Sequence, residues 1–301
     1  MTGNIGPRLK VAFFGSPSRF SGLAFERLAA CQSIVALVLP GSAAARLNRA
    51  IRQVAGLPAV SPLEKSARAL GIDVLTMPSG DCNAIVEKLR GLRPDIICIA
   101  LFPTKLSREV IESAPMGAIN VHPSLLPRHR GPLPLFWTYH CDDREAGVTI
   151  HHADGRFDAG DVIVQESMSL PRAYPVAELD KELAYRAAAL LSNAVAGLAA
   201  GGSSRTVQDE RNATRAPLVR PGVSMVPFEF WHVERVGHFL GALYPQYREP
   251  LVDENGDAVM HGRVLGYGGC PPSRAPGSVE ARPEGWMLHC RDGTLLLAKY
   301  P

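Results

Sequence analysis

Asn120 and His122 stand two residues apart at the end of a short apolar run, Ala118 to His122, ahead of Pro123-Ser124-Leu125-Leu126-Pro127 and Arg128-His129-Arg130-Gly131. Side chains at i and i+2 of a β-strand share a face, so this spacing sets an amide beside an imidazole. Pro123 bars His122 from helical geometry, and Pro127 and Gly131 keep the next segment a shaped loop. A second stretch, Gly147 to His152, reads as another strand. Behind it the loop ADGRFDAGD, Ala153 to Asp161, holds three acids among small residues. A carboxylate from such a loop can orient a histidine ring and raise its pKa, tuning it for proton transfer. One histidine at a strand end is more often structural than catalytic; it is the pairing of the two patches that points to chemistry. Asn, His and Asp without a Ser or Cys in a nucleophile's frame suggest direct attack by one substrate on another, with the amide as an oxyanion donor.

The elements that must position these groups follow from the apolar pattern. Lys10 to Phe14 and Ile34 to Leu39 read as strands around a helix at Leu23 to Ala30. A strand at Ile72 to Leu75, a helix at Asn83 to Leu92, a strand at Asp95 to Leu101, a helix near Arg108 to Ser113 and the strand at Ala118 to His122 continue the alternation. Such alternation predicts an α/β fold, a Rossmann-like mostly parallel sheet with helices on both faces. Continuous runs such as IICIAL suit strands covered on both sides. The C-terminal end of such a strand, where Asn120 and His122 fall, is where open α/β sheets bind ligands. Val162 to Ser169 reads as a further strand and Ala177 to Ala200 as a helix stopped by Gly201-Gly202.

The polar, turn-rich stretch that follows predicts a linker over 204–226, dividing a catalytic domain at 8–203 from a small β-rich domain at 227–301. The latter opens with a helix at Val233 to Leu243. Asn255-Gly256, Pro283-Glu284-Gly285 and Asp292-Gly293 then mark hairpin turns that tolerate positive φ. A small antiparallel sheet or OB-like barrel is the expectation.

Composition bounds the function. The 301 residues are 46% hydrophobic and 20% charged, ordinary globular usage. No run reaches the roughly 18 apolar residues of a membrane span. The first apolar run ends at Gly15 and Pro17 without a cleavage site and reads as a strand, so a cytoplasmic location is expected. Cysteines 31, 82, 98, 141, 270 and 290 show no Cys-x-x-Cys pair and no zinc-ligand spacing, which predicts reduced thiols and no metal. A net charge of +3 is far from the dense basic footprint of a dedicated nucleic-acid binder. Gly15-Ser16-Pro17 lacks the G-x-G-x-x-G spacing of dinucleotide sites. His151 and His152, being adjacent, point to opposite faces of their strand, one toward the cleft and one toward the core.

NVHPSLLPRHRG followed by GVTIHHADGRFDAGDVI resembles the paired signatures of the folate-dependent formyltransferases, among them methionyl-tRNA formyltransferases and amino-sugar N-formyltransferases. QDERNATRAP resembles the Q-x-E-x-x-A-T stretch ahead of that family's C-terminal barrel. The resemblance implies a catalytic triad of Asn120, His122 and Asp158, with 10-formyltetrahydrofolate as formyl donor and an amine as acceptor. It implies donor contacts at Leu101, Phe102, Pro103, Ser124, Leu125, Leu126, Ala153 and Asp154. Candidate acceptor contacts are Arg128, Arg130, Gly15 and Ser16. Where tRNA-directed members carry a basic insertion of the kind PDxPAGRGKK, this chain reads PGSAAARLNRAIRQ; Arg46, Arg49 and Arg52 remain but the Gly-Arg-Gly-Lys-Lys core does not. A small-molecule amine, such as an amino sugar nucleotide or an amino-acid-derived amine, is therefore the expected acceptor, with methionyl-tRNA and then water, in a hydrolase, as the alternatives.

Overall fold

The computed structural model describes residues 7–41, 60–78, 83–202, 205–268 and 273–300. The chain divides into two compact units that interleave along the sequence: residues 1–134, 146–168 and 180–215 make the first, and 135–145, 169–179 and 216–301 the second. A boundary drawn from composition cuts the chain once and cannot show such interleaving.

The first unit is built on seven strands: β1 (Lys10–Gly15), β2 (Ser33–Pro40), β3 (Asp73–Met77), β4 (Ile96–Ala100), β5 (Ala118–His122), β6 (Glu145–His152) and β7 (Val162–Ser169). Their order is β3-β2-β1-β4-β5-β6-β7. The first five pair in parallel, and β6 runs antiparallel to β5. β1 and β4 are apolar along nearly their whole length and buried, as strands covered on both faces must be. The helices of this unit are α1 (Arg19–Cys31), α2 (Pro62–Ala69), α3 (Asn83–Leu92) and the short α4 (Arg108–Ile111). Ser18 caps α1, its hydroxyl accepting from the Ser21 amide at 3.1 Å, and the helix buries Phe20, Ala24, Phe25 and Leu28. One apolar cluster, including Phe14, Val38, Leu89, Ile97, Ile99 and Val110, joins the sheet to α3 and α4.

Chain order reverses between β1 and β4, so their C-terminal ends form the topological switch point at which open α/β sheets take ligands. Ser16 closes that point by donating from its hydroxyl to the Leu101 carbonyl at 2.5 Å.

The second unit contains α5 (Pro134–His140) beyond its first residue and the first turn of α6 (Val176–Ala199). It also holds α7 (Val233–Leu243) and the strands β8 (Leu251–Val252), β9 (Ala258–Val259), β10 (His261–Gly268), β11 (Val279–Arg282), β12 (Gly285–His289) and β13 (Thr294–Lys299). A four-stranded sheet in the order β10-β13-β12-β11 is antiparallel throughout. The three turns predicted from Asn255-Gly256, Pro283-Glu284 and Asp292-Gly293 connect β8 to β9, β11 to β12 and β12 to β13. Gly256 does so at φ +84°, the left-handed conformation that glycine adopts without steric cost. α7 buries Val236, Phe239, Leu240 and Leu243, and Phe239 meets Phe136, Trp231 and Tyr247 edge to face.

Residues 205–215 are not a free linker. Thr206 bridges to Val162, and Arg130 bridges to Arg215, so this part of the predicted 204–226 segment folds against the first unit. Of its polar side chains, Gln208, Glu210 and Thr214 are hydrogen-bonding partners of other loops.

Candidate active site

β5 delivers Asn120 and His122 to one face, as its period of two requires, and Pro123 ends the strand immediately after. The antiparallel register of β5 and β6 places His151 directly opposite Asn120 and Thr149 opposite His122. The loop after β6 brings in Asp158, which sits at φ +50°. The loop can run close to its strand because position 160 is glycine; a Cβ there would collide with the His152 carbonyl.

These side chains form one polar cluster, in which Asn120, His151 and Asp158 are hydrogen-bonded and His122 faces the carboxylate. Asn120 Nδ2 lies 3.1 Å from both Asp158 Oδ1 and His151 Nε2. His122 Nδ1 faces Asp158 Oδ1 at 3.6 Å, and His122 Nε2 is 2.9 Å from the His129 carbonyl. Asp158 Oδ2 accepts from the Gly131 amide at 2.9 Å. Ring tautomers follow from the fact that a carbonyl can only accept. His122 therefore carries its proton on Nε2, and Nδ1 is the basic nitrogen. His151 likewise donates from Nδ1 to the His152 carbonyl at 2.9 Å, so its Nε2 accepts from Asn120. Both hydrogens of the Asn120 amide are thus engaged, and donation to an oxyanion requires one of them to be handed over.

The electrostatics revise one expectation. Burial lowers the pKa of His122, and attraction to Asp158 with the hydrogen bond to His129 offsets this only in part, leaving a net shift below 6.5. The carboxylate supports the ring, as expected, but desolvation outweighs it, and the resting imidazole is neutral. For Asp158 the balance runs the other way. Burial raises its pKa, yet His122, His151 and the Gly131 amide together hold it down at about 2. At neutral pH the site therefore presents a charged carboxylate beside a neutral base.

Around this cluster Leu101 turns at φ +49°, and Phe102 packs edge to face on Phe14 with centroids 5.3 Å apart. Phe102 and Ala153 both lie against the apolar cluster of the first unit, giving a wall suited to a flat ring, while Pro103 and Asp154 are exposed. Asp154 is paired with Arg156. Ser124 is buried with its hydroxyl donating to the Arg128 carbonyl at 2.7 Å, Leu125 packs on Gly147, and Leu126 is buried. These three shape the loop from inside.

Arg130, a candidate acceptor contact, is engaged within the chain. Its Nε and Nη2 donate to Gln208 Oε1 at 3.0 and 2.8 Å, and it pairs with Glu210 at 2.9 Å. Arg128 is exposed. Gly15 is buried and packs tightly, since a Cβ would lie 2.8 Å from Phe13. Arg46, Arg49 and Arg52 lie outside the described residues. Two participants escaped the sequence reading. His151 was one of an undecided pair, and only the strand register settles which of the two faces Asn120. Gln208 lay in the presumed linker.

Among the described residues no group of three or more His, Cys, Asp and Glu could hold a metal ion, and no helix is long and apolar enough to cross a membrane.

Comparison with known proteins defines the class. The family model described as Formyl transferase matches residues 9–195, so the chain belongs to the formyl transferase family. It is 33% identical over 214 residues to a methionyl-tRNA formyltransferase of Roseiflexus castenholzii, a match covering 70% of this chain and 66% of that protein. A methionyl-tRNA formyltransferase of Anaeromyxobacter sp. is 30% identical over 299 residues, 96% of this chain and 90% of that one. For a similarly named protein of Syntrophus aciditrophicus the match spans about half of its length, 51%. In fold the chain is similar to WlaRD, a sugar 3N-formyl transferase, with a TM-score of 0.68, 13% identity and 98% of each chain covered. HypX from Aquifex aeolicus, solved with tetrahydrofolic acid, matches with a TM-score of 0.60 and 19% identity over 97% of this chain and 44% of that one.

Proposed function

We propose that this formyltransferase moves a formyl group from 10-formyltetrahydrofolate to the primary amine of a small molecule, an amino sugar nucleotide or an amino-acid-derived amine. The observation that carries the transfer chemistry is the convergence of Asn120, His122 and Asp158, in which Asn120 donates to the Asp158 carboxylate at 3.1 Å and the buried His122 ring faces the same carboxylate at 3.6 Å. The folate carrier supplies an activated formyl carbon. Leu101, Phe102 and Ala153 would hold its ring system through main-chain groups and the apolar wall, and Pro103, Asp154 and the 124–126 loop complete that face.

The chain's own residues account for the proton and the charge. His122 Nδ1, neutral at pH 7, takes the proton that the amine releases as it attacks, and returns it to the folate nitrogen as the bond between that nitrogen and the formyl carbon breaks and tetrahydrofolate leaves. The intervening imidazolium is stabilised on one side by Asp158 and on the other by the His129 carbonyl. Asn120 turns one amide hydrogen to the formyl oxygen as negative charge develops there. Of its two present partners the His151 ring nitrogen is given up in preference to the Asp158 carboxylate, because charge-assisted hydrogen bonds are the stronger.

A small acceptor is supported by PGSAAARLNRAIRQ, which lacks the basic core that tRNA-directed members carry. The second reading is methionyl-tRNA, favoured by the names of the relatives at 30 to 33% identity. Replacing Arg46, Arg49 and Arg52 together by Ala separates the two. With a small amine, steady-state constants stay within about twofold and salt dependence is weak. With tRNA, binding weakens for every tRNA sequence and the log-log salt slope flattens by about two units, since each lost phosphate contact changes it by roughly 0.7 to 0.9.

A further inference from the structure

We infer that Gln208, with Thr214, is a positioning residue that holds the two backbone turns flanking His122 in register. This rests on the reading of Asn120, His122 and Asp158 as the catalytic group. The ring of His122 is held between the Asp158 carboxylate and the His129 carbonyl, and both of those residues occupy the left-handed region, at φ +50° and +60°. L side chains adopt that conformation at a steric cost and keep it only where the surroundings fix it.

The strap at 205–215 supplies those surroundings. Gln208 Nε2 donates to the carbonyl of Asp158 itself at 3.0 Å and to that of Gly160 at 2.7 Å. Thr214 Oγ1 accepts from the amide of His129 itself at 2.8 Å. Thus one strap side chain holds the main chain of each left-handed residue that faces His122. The two turns are also tied to each other: Arg130 donates twice to Gln208 Oε1, which fixes the orientation of the Gln208 amide so that its nitrogen must point at the two carbonyls. Main-chain bonds from Arg130 to the Thr214 carbonyl at 2.9 Å and from Thr214 to the Pro127 carbonyl at 3.2 Å complete the fastening. Gln208 is buried, so nothing in solvent replaces what it gives.

The test uses the full chain with ring-nitrogen NMR titration of His122, a readout that does not depend on which reaction the enzyme performs, together with steady-state kinetics. In Gln208→Leu the Asp158 loop loses its anchor. His122 is then expected to titrate at lower pH than in the wild type, because its carboxylate is no longer held against it. Turnover should fall about tenfold to a hundredfold, the scale of a misplacement near 1 Å, while the KM for the donor changes less than about threefold. Thr214→Val, nearly the same shape, should perturb the Nε2 proton resonance of His122 and lower turnover in the same sense. An unchanged His122 titration in Gln208→Leu, or, should that variant fail to fold, an unchanged Nε2 proton resonance of His122 in Thr214→Val, would reduce the strap to a stability element and overturn the inference. If formyl transfer itself is the error, no variant or wild type turns over donor, yet the titration shift still decides the role of Gln208.

Discussion

His122 donates from Nε2 to the carbonyl of His129 at 2.9 Å, and Nδ1 is thereby left as the basic nitrogen facing Asp158. Asp158→Asn removes the attraction that partly offsets burial, so the pKa of His122, already lowered, falls further. A base must be neutral to accept a proton, so the acidic limb of the kcat/KM profile should move to lower pH. An unmoved limb would remove Asp158 from the electrostatics of the site.

Asn120→Ala is expected to lower kcat by about a hundredfold or more, the cost of losing one oxyanion donor, with little change in donor affinity. Steady-state kinetics with the donor varied check both halves of that statement. The half-buried Asp158 and the buried His151 would each lose a donor in this variant, so the His122 titration should be followed in parallel.

Thr149 shows how β6 supports the 123–127 loop. Its fully buried hydroxyl donates to the Ser124 carbonyl at 2.7 Å and accepts from the Leu126 amide at 3.2 Å and from Gln165 Nε2 at 2.7 Å. Thr149→Val keeps the shape and orphans those partners, which costs about 1 to 3 kcal/mol for a buried unsatisfied group. A denaturant midpoint equal to that of the wild type would contradict this.

Stability should fall as the solution is acidified below pH 6.5. Burial is the largest cause lowering the pKa of His122, His140, His152 and His238, the last to about 4. The unfolded chain takes up these protons near pH 6.5 and the folded chain resists them, so protonation favours unfolding. The histidine contribution is complete above 6.5 and is lost as pH falls through the folded values. Asp158 adds a second window, between 3.8 and about 2. Denaturant midpoints measured from pH 8 to pH 4 should decline monotonically below 6.5; a flat profile would count against the buried, neutral histidines.

Much of this was written locally in the chain. The strands at Ala118–His122 and Glu145–His152 and the helices at Asn83–Leu92 and Val233–Leu243 carry their own apolar periodicity and stops, and the hairpin turns their own Asn-Gly and Asp-Gly. Asn120, His122 and Asp158 could be named because two short motifs contain all three. What the sequence hid depends on register and distance. Whether His151 or His152 meets Asn120 is decided by strand pairing across some thirty residues. Gln208 and Arg130 stand 78 positions apart, and a polar side chain reads alike whether solvated or clamping two loops. The upward pull of the carboxylate on His122 is legible in the motifs, whereas the net downward shift is not, because burial, which outweighs it, has no local signature.

The central claim is that Asn120, His122 and Asp158 move a formyl group from a folate carrier to an amine. Release of tetrahydrofolate from 10-formyltetrahydrofolate, followed by absorbance with wild type and His122→Ala, with and without a panel of amino sugar nucleotides, amino-acid-derived amines and methionyl-tRNA, tests it most directly. The account predicts release that requires one of these acceptors, yields the N-formyl product in equal amount, and falls at least about a hundredfold in His122→Ala. Release at the same rate with no acceptor, or equal rates in wild type and His122→Ala, would contradict it.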